Sequence, residues 1–553
     1  MALLSSTRES ITAPNGQTRI GVAAVGANNP FADGGPAAGV VRAAPANDTY
    51  EFFSIEDFPA GIGDLGLTHD DAQGFYNYVA QFVTPNAWYR DGNVLAWIYG
   101  EDFDNWQDEY GFDSCCVVYH SGHGNMDANG VFQCPMGGTW GGASWVFSNG
   151  MRLGNEKARY IFWSTCLSLR VLGGHSPVRT WHGANGGFRM LFGFETVSFD
   201  NANYGRYFWE EWNKNKSFSQ AWLDGSWRIS HNQAPSVVAT GANQAEAEAR
   251  LNQERHFTTA AGSAGWYAWR WYNVARQAGL REPNSTLPGR IAVATLAAPA
   301  PAEERVRQIA ERLGLQVGAV ESMQSDRSVQ ADIGNGRLAL APDGSYELRL
   351  AEPVAPRADA DPGQARHAAE EIVRRYGLAD DIDLVYDVTR LDNVASAPGG
   401  SDGSAATERV REITVAFRQV VNGLPVVSPD RGEVRVTVDP AGNLLGIADT
   451  TRRVAGLSER RSTATPPTGP GASAGELDEQ AVAAKVDDAV QRRLRQIASG
   501  GHVPQTVEVV PGTEEIGYAL RDTTAVLAAR RTIEVELGHG LRKRYDVEVP
   551  LAE

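Results

Sequence analysis

Five short, almost uninterrupted apolar runs, separated by stretches of helical spacing, restrict the first half of this 553-residue chain more than any other feature. The runs are Tyr50-Glu51-Phe52-Phe53-Ser54-Ile55, Val94 to Tyr99, Cys115-Cys116-Val117-Val118-Tyr119, Tyr160-Ile161-Phe162-Trp163 and Met190-Leu191-Phe192-Gly193-Phe194. Strands apolar on both sides must be covered on both faces, which is the pattern of a mostly parallel sheet flanked by helices. Asp70 to Phe82 and Tyr204 to Trp212 carry the helical spacing needed to cover it. The expected class is therefore α/β. In such sheets the working residues gather at the carboxyl ends of strands, which directs attention to the residues just after Tyr119 and Trp163.

All fourteen tryptophans lie between Trp88 and Trp271, and all four cysteines between Cys115 and Cys166. Beyond about residue 280 the chain turns to Ala, Val, Arg, Glu and Asp. The boundary falls before Arg281-Glu282-Pro283-Asn284-Ser285-Thr286-Leu287-Pro288-Gly289, whose prolines and glycine suit a linker. This gives an N-terminal extension (1–47), an α/β domain (48–280) and an α+β domain (289–455). A Ser/Thr/Pro/Gly-rich linker (456–475) and a second α+β unit (476–553) complete the chain. Helices are expected over Val306–Leu315, Ala365–Tyr376 and Asp478–Ile497, and strands over Ile413–Phe417 and Glu433–Val438.

A formal charge of -17 argues against nucleic acid or an anionic membrane as partner. The first residues, Met1 to Glu9, lack a basic segment leading into an apolar core, and no apolar run approaches the roughly 20 residues that cross a bilayer. Four cysteines, two of them adjacent, make no disulfide framework in a chain this long, so a reducing, cytoplasmic setting is expected.

The third run leads into His120-Ser121-Gly122-His123-Gly124 and the fourth into Ser164-Thr165-Cys166. A thiol and an imidazole at the ends of neighbouring strands suit a nucleophile and its acid/base partner. Glycine beside the histidine lets a substrate backbone approach and leaves an amide for a developing oxyanion.

Val117 to Gly124 and Tyr160 to Cys166 together resemble the clan of caspases, legumains, gingipains and clostripains, in which one hydrophobic strand ends in His-Gly and the next in the nucleophilic Cys. The separation of 43 residues between His123 and Cys166 is near the ~50 of caspases. The resemblance spans roughly residues 48–275. It implies a caspase-like fold and a cysteine peptidase, with Cys166 as nucleophile and His123 as general acid/base. The backbone amides of Gly124 and Cys166 would form the oxyanion hole. After Cys166 the chain reads Leu167-Ser168-Leu169, where caspases favour Arg-Gly or Gly. The specificity pocket is left open.

Two other readings stand beside this one. A degenerate peptidase fold would bind protein without cutting it. A metal hydrolase would use His120 and His123 with distant ligands such as His175 or His182, although two histidines on a Ser-Gly segment do not complete a zinc site. Otherwise His120 is expected to line the cleft or support the sheet, and the loop holding His182 to border the cleft or serve as an ordinary connection. Asn125 to Gly130 begins like a calcium loop but has Met136 where the closing Glu belongs, so it reads as a polar turn. No metal or other cofactor is required, and calcium has no support beyond that fragment.

Val415 to Val427 and Glu433 to Leu444 are similar to the propeptide domains of thermolysin- and fungalysin-type proteases, which are related to the PepSY module. That likeness implies an intramolecular contact in which residues 289–553 restrain the peptidase until a linker is cut. The candidate linkers are Arg281–Arg290 and Arg452–Gly475, the second holding Arg460-Arg461.

Overall fold

The computed structural model describes residues 28–31, 49–275, 291–322, 328–350, 355–404, 406–459, 479–498 and 504–551. The first half contributes β1 (Tyr50–Ser54), β2 (Ala87–Arg90), β3 (Val117–Ser121), β4 (Asn125–Met126), β5 (Phe132–Trp140), β6 (Ala143–Phe147), β7 (Tyr160–Ser164), β8 (Met190–Phe194), β9 (Pro235–Gly241) and β10 (Trp266–Val274). Its helices are α1 (Thr68–Val79), α2 (Asp104–Tyr110), α3 (Pro177–Trp181), α4 (Tyr204–Trp212), α5 (Phe218–Trp227) and α6 (Gln244–Gln253).

The main sheet of this half runs β2-β1-β3-β7-β8-β9-β10. The first five of these strands are parallel, and β9 and β10 are antiparallel additions. Both faces are covered, as the apolar runs require. Phe52, Tyr119, Phe162 and Phe192 turn to one face beneath α1, α4 and α5. Phe53, Val118, Ile161, Trp163 and Leu191 turn to the other, with Trp97, Phe112 and Trp181. A small antiparallel sheet, β4-β5-β6, lies beyond the end of β3.

One expected strand is absent. Residues 94–99 form a short 3₁₀ turn over Ala96–Ile98, and the edge strand is the preceding Ala87–Arg90. The apolar character of 94–99 comes from burial of Val94, Trp97, Ile98 and Tyr99 in the core rather than from strand pairing, an ambiguity inherent in short apolar runs.

The second half adds β11 (Ala292–Leu296), α7 (Ala302–Leu313), β12 (Val317–Ser322), β13 (Val329–Ile333), β14 (Gly336–Leu340), β15 (Tyr346–Arg349), α8 (Pro362–Arg375), β16 (Asp383–Pro398), β17 (Arg409–Val421), β18 (Leu424–Pro425), β19 (Glu433–Val438), β20 (Leu444–Asp449) and β21 (Val454–Glu459). The chain ends with α9 (Glu479–Ala498), β22 (Thr506–Val509), β23 (Glu515–Leu520), β24 (Thr524–Glu536) and β25 (Arg542–Pro550). Strand β16 pairs with β10 over nine residues, from Trp266↔Pro398 to Val274↔Arg390, so the two halves share one continuous mixed sheet. Helices α7 and α8 cover the antiparallel part of it over Val415, Val436, Ile447 and Leu348.

A second sheet, β21-β11-β24-β22 with β23 and β25 on β24, gathers strands from either side of that region. Residues 456–459, assigned by composition to the linker, instead pair with β11. The rest of that linker, Arg460-Arg461 included, and the linker at 276–290 lie outside the described residues, as does most of the N-terminal extension. No helix among the described residues is long and apolar enough to cross a membrane.

Candidate functional site

Strands β3 and β7 are adjacent and parallel, in register from Val117↔Tyr160 to Ser121↔Ser164. His123 and Cys166 therefore emerge from the same end of the sheet. The two motifs touch through their backbones: a Cβ placed on Gly124 would sit 2.9 Å from the Cys166 carbonyl oxygen and 2.9 Å from the Thr165 side chain, so no residue larger than glycine fits. Among the described residues the amides of Gly124 and Cys166 donate to no acceptor.

Cys166 sits at the start of a turn in which Leu167 adopts φ +55°, a left-handed conformation that costs a branched side chain energy. Ser168 fixes that turn, its hydroxyl donating to the Thr165 carbonyl at 3.1 Å and accepting the Phe194 amide at 3.2 Å. The Ser-for-Gly departure after Cys166 thus ties the turn to β8.

The His123 ring is buried against Phe58, with centroids 4.7 Å apart. Its Nε2 is 2.8 Å from the Gly63 carbonyl oxygen, which can only accept, so Nε2 carries the proton and Nδ1 is the basic nitrogen. Among the described residues Nδ1 has no hydrogen-bond partner. Burial, together with the charge of Lys543, pulls the imidazole down to about 3, leaving it neutral.

Cys166 Sγ does not bond to His123. It accepts the Ser198 amide at 3.3 Å, lies 3.4 Å from the Ser198 hydroxyl, and donates to the Arg542 carbonyl at 3.0 Å. Arg542 and Lys543 belong to the hairpin of β24 and β25, whose tip covers the site. The tip accepts the Gly63 amide at the Leu537 carbonyl (2.6 Å) and pairs main chain with Ser198–Asp200: Arg544 N to Ser198 O at 3.1 Å and Asp200 N to Arg544 O at 3.2 Å. Lys543 is buried, with Nζ 3.2 Å from Ser198 Oγ. Nearby, the buried Asp200 carboxylate accepts the amides of Gly66 (3.0 Å) and Leu67 (3.2 Å) and faces Arg493 of α9 at 3.7 Å.

The His120 ring packs against Tyr99 and Trp163. Its Nδ1 pairs with the Tyr99 hydroxyl at 2.7 Å and its Nε2 with Cys134 Sγ at 3.4 Å; burial holds it, like His123, near 3. With both ring nitrogens engaged and His123 committed to Gly63, the two histidines do not converge on a common point for a metal. His182 follows α3 and packs on Tyr267 and Gly399, close to Asn185 and the amino-terminal start of β8, away from Cys166. His175 bonds Arg170 at 2.9 Å. The fragment resembling a calcium loop closes as a turn, with the Asp127 carboxylate accepting Asn129 N at 2.9 Å and Val131 N at 2.8 Å.

Three residues invisible to sequence spacing form a Ser-His-Asp relay at the end of β1. Ser54 Oγ is 2.7 Å from His69 Nδ1, and His69 Nε2 is 3.0 Å from Asp91. Ser54 is fully buried and its oxygen accepts the Trp88 indole N–H at 2.8 Å, so the hydroxyl is a structural link rather than a free nucleophile. The groups missed at the Cys166 site are Ser198, Asp200 and Lys543. The first two come after the fifth apolar run, at a strand end that the carboxyl-end rule also marks. Lys543 lies 377 residues from Cys166, just past a Gly538-His539-Gly540 turn between two alternating strands, and only tertiary structure brings it here.

Residues 52–267 match a family described only as a domain of unknown function, DUF6345. No curated protein matches the chain.

Proposed function

We propose that the chain is a cysteine endopeptidase of the caspase-like type, with Cys166 as nucleophile, His123 as general acid/base and the amides of Gly124 and Cys166 as oxyanion donors. The observation that carries this reading is the position of His123 and Cys166 at the same end of adjacent parallel strands, with the Gly124 backbone packed on Cys166 and His123 Nδ1 without a hydrogen-bond partner among the described residues. In the reaction the Cys166 thiol proton passes to His123 Nδ1 as Sγ attacks the peptide carbonyl carbon. The C–N bond then breaks and His123 returns the proton to the departing amine. Water hydrolyses the thioester and restores the thiol. Four free cysteines suit a reducing, cytoplasmic location, which belongs to the same reading.

The C-terminal region regulates this site in the same reading, because its hairpin occupies the thiol. A second reading, a catalytically inactive caspase-like module that binds protein, is favoured by one observation: Sγ is bonded to Ser198 and Arg542 and not to His123. Hydrolysis of a mixed fluorogenic peptide library by the full chain and by Cys166→Ala separates the two. Peptidase chemistry requires turnover that disappears in Cys166→Ala. Equal turnover in both removes Cys166 from the mechanism. No turnover, even in variants that displace the hairpin, favours the binding module.

A further inference from the structure

We infer that the β24–β25 tip occupies the substrate groove as a resident mimic, and that the groove takes an extended polypeptide with a lysine-type basic side chain next to the carbonyl at Cys166, recognised by Asp200 and Ser198. The inference rests on the peptidase reading for its chemistry, but not for its geometry.

Three features of a bound peptide coincide at the tip. Its main chain pairs with Ser198–Asp200 through two hydrogen bonds, as a peptide adding itself to a sheet edge does. It places a carbonyl, that of Arg542, at the sulfur. The neighbouring side chain, Lys543, is buried in the first domain with its ammonium on Ser198 Oγ.

The carbonyl presents its oxygen to Sγ as a hydrogen-bond acceptor, whereas an attacked carbonyl must present its carbon. The thiol proton is engaged by Arg542 rather than by His123 Nδ1. The tip is held and not cut.

Lys543 is not explained by stability. Among the described residues no carboxylate lies within ion-pair distance of it, and a buried ammonium resting on one hydroxyl is costly. Burial raises the carboxyl of the nearby Asp200, and among the described residues the cations that oppose this come from the C-terminal unit: Lys543 and, at 3.7 Å, Arg493. When that unit lifts away, both leave together. Asp200 then keeps two backbone amides and lacks a cation, which a basic substrate side chain supplies. The tip is also seated tightly at its turn, where Gly538, at φ +96°, would place a Cβ 2.1 Å from the Gly61 carbonyl oxygen.

The test uses the full chain and two displacing variants, Lys543→Glu, which sets a carboxylate beside Asp200, and Gly538→Ala, which keeps the lysine but cannot seat the turn. Alkylation of Cys166 by iodoacetamide, read by mass spectrometry, is expected to quicken at least tenfold in both. Either variant suffices if the other fails to fold by circular dichroism. Peptides differing only as Lys, Met or Glu at the positions flanking the scissile bond are then compared on the displaced chain. Lys peptides should be cut at least tenfold faster in kcat/KM, and Asp200→Asn should reduce that preference below threefold. Binding of the same peptides to Cys166→Ala carrying Lys543→Glu is read by fluorescence polarisation. Unchanged alkylation in the folded variants overturns the inference. Turnover or binding without a lysine preference overturns the ligand class and leaves the peptidase reading standing. A lysine preference in binding with no turnover in any chain upholds the groove and defeats the peptidase reading.

Discussion

The C-terminal half meets the first domain at two places built on opposite principles. Along β10 and β16 the contact is a nine-residue strand pairing beneath a dense ionic network. Arg270 binds Asp392 through two hydrogen bonds at 3.2 and 2.5 Å, both side chains fully or almost fully buried. Lys216 meets Glu211, Asp224 and Glu347 at 2.5–2.8 Å, and Arg228 reaches Asp430 at 2.6 Å. A cavity of about 880 Å³ lined by such groups lies within this seam. At the Cys166 site, by contrast, the hairpin meets the first domain through a few hydrogen bonds, through apolar burial of Leu537, Leu541 and Tyr545 with Ile62 and Leu65, and through one poorly compensated lysine. The first contact is a weld and the second a latch. Cutting a linker would not by itself part the weld, so under the proposed peptidase reading relief of the site would come from movement of the hairpin rather than loss of residues 289–553 as a block.

The weld is most severely tested by removal. A chain ending at residue 285 keeps β10 but loses β16, exposing the edge of Trp266–Val274 with Trp269, Trp271 and Tyr272. A long apolar edge pairs with other chains. This fragment is expected to self-associate or precipitate, whereas the full chain does not, as size-exclusion chromatography will show. A soluble, monomeric, folded fragment would mean that the seam is no more than a latch itself.

Within the intact chain, Asp392→Ala takes the carboxylate from the buried Arg270 guanidinium and leaves it only the neutral acceptors Ser219 and Gln220 among the hydrogen bonds of the described residues. Removing one partner of a buried pair costs about 3–5 kcal/mol, measurable by urea denaturation. A loss under about 1 kcal/mol, the scale of an exposed pair, would show that the network is solvated and the comparison mistaken.

Acid probes the same seam more gently. Asp387 of β16 is buried, which raises its carboxyl, but Arg418 and the first domain's His231 outweigh that and hold it at about 2. The folded value lies below the unfolded value of about 3.9, so the ionised carboxylate stabilises the fold above that pH. Its contribution fades as pH falls from roughly 4 towards 2. Thermal melts at pH 6, 4 and 3 should therefore show the advantage of the natural chain over Asp387→Asn shrinking through that window. A gap constant with pH would remove Asp387 from the seam's energetics.

How much of this could be read in advance depended on the range of the forces involved. Strands with both faces apolar announced themselves, and β8 falls on the expected residues, because two-sided burial leaves a continuous run; β19 falls on its expected residues through the alternation of Val434, Val436 and Val438 with polar residues. That His123 and Cys166 leave the sheet at the same end followed from strand order. Residues 94–99 misled because core burial and strand pairing select the same residue types. The continuation of the sheet through β16, the role of residues 456–459 and the seating of Lys543 beside Ser198 depend on contacts between residues more than a hundred positions apart. Each of those segments is locally an ordinary amphipathic strand or polar turn.

The smallest expected effect concerns the latch, and it carries the opposite sign to those at the weld. Methionine is close to lysine in length and shape without its charge. At the weld, deleting a charge leaves its partner buried and unpaired; Lys543 has no contacting carboxylate to abandon among the described residues, and its loss frees only the Ser198 hydroxyl. Lys543→Met therefore trades the desolvation of an ammonium for a buried thioether. It should leave stability unchanged or raise it by roughly 1 kcal/mol, read from the urea midpoint at neutral pH. Asp200 limits the gain, since the cation opposing its burial is then reduced to Arg493. A loss of about 2 kcal/mol or more, approaching the cost of breaking a buried pair, would show that Lys543 anchors the hairpin as Arg270 anchors the sheet. The tip would then be a second weld, and its likeness to a bound peptide would be a consequence of folding rather than of function.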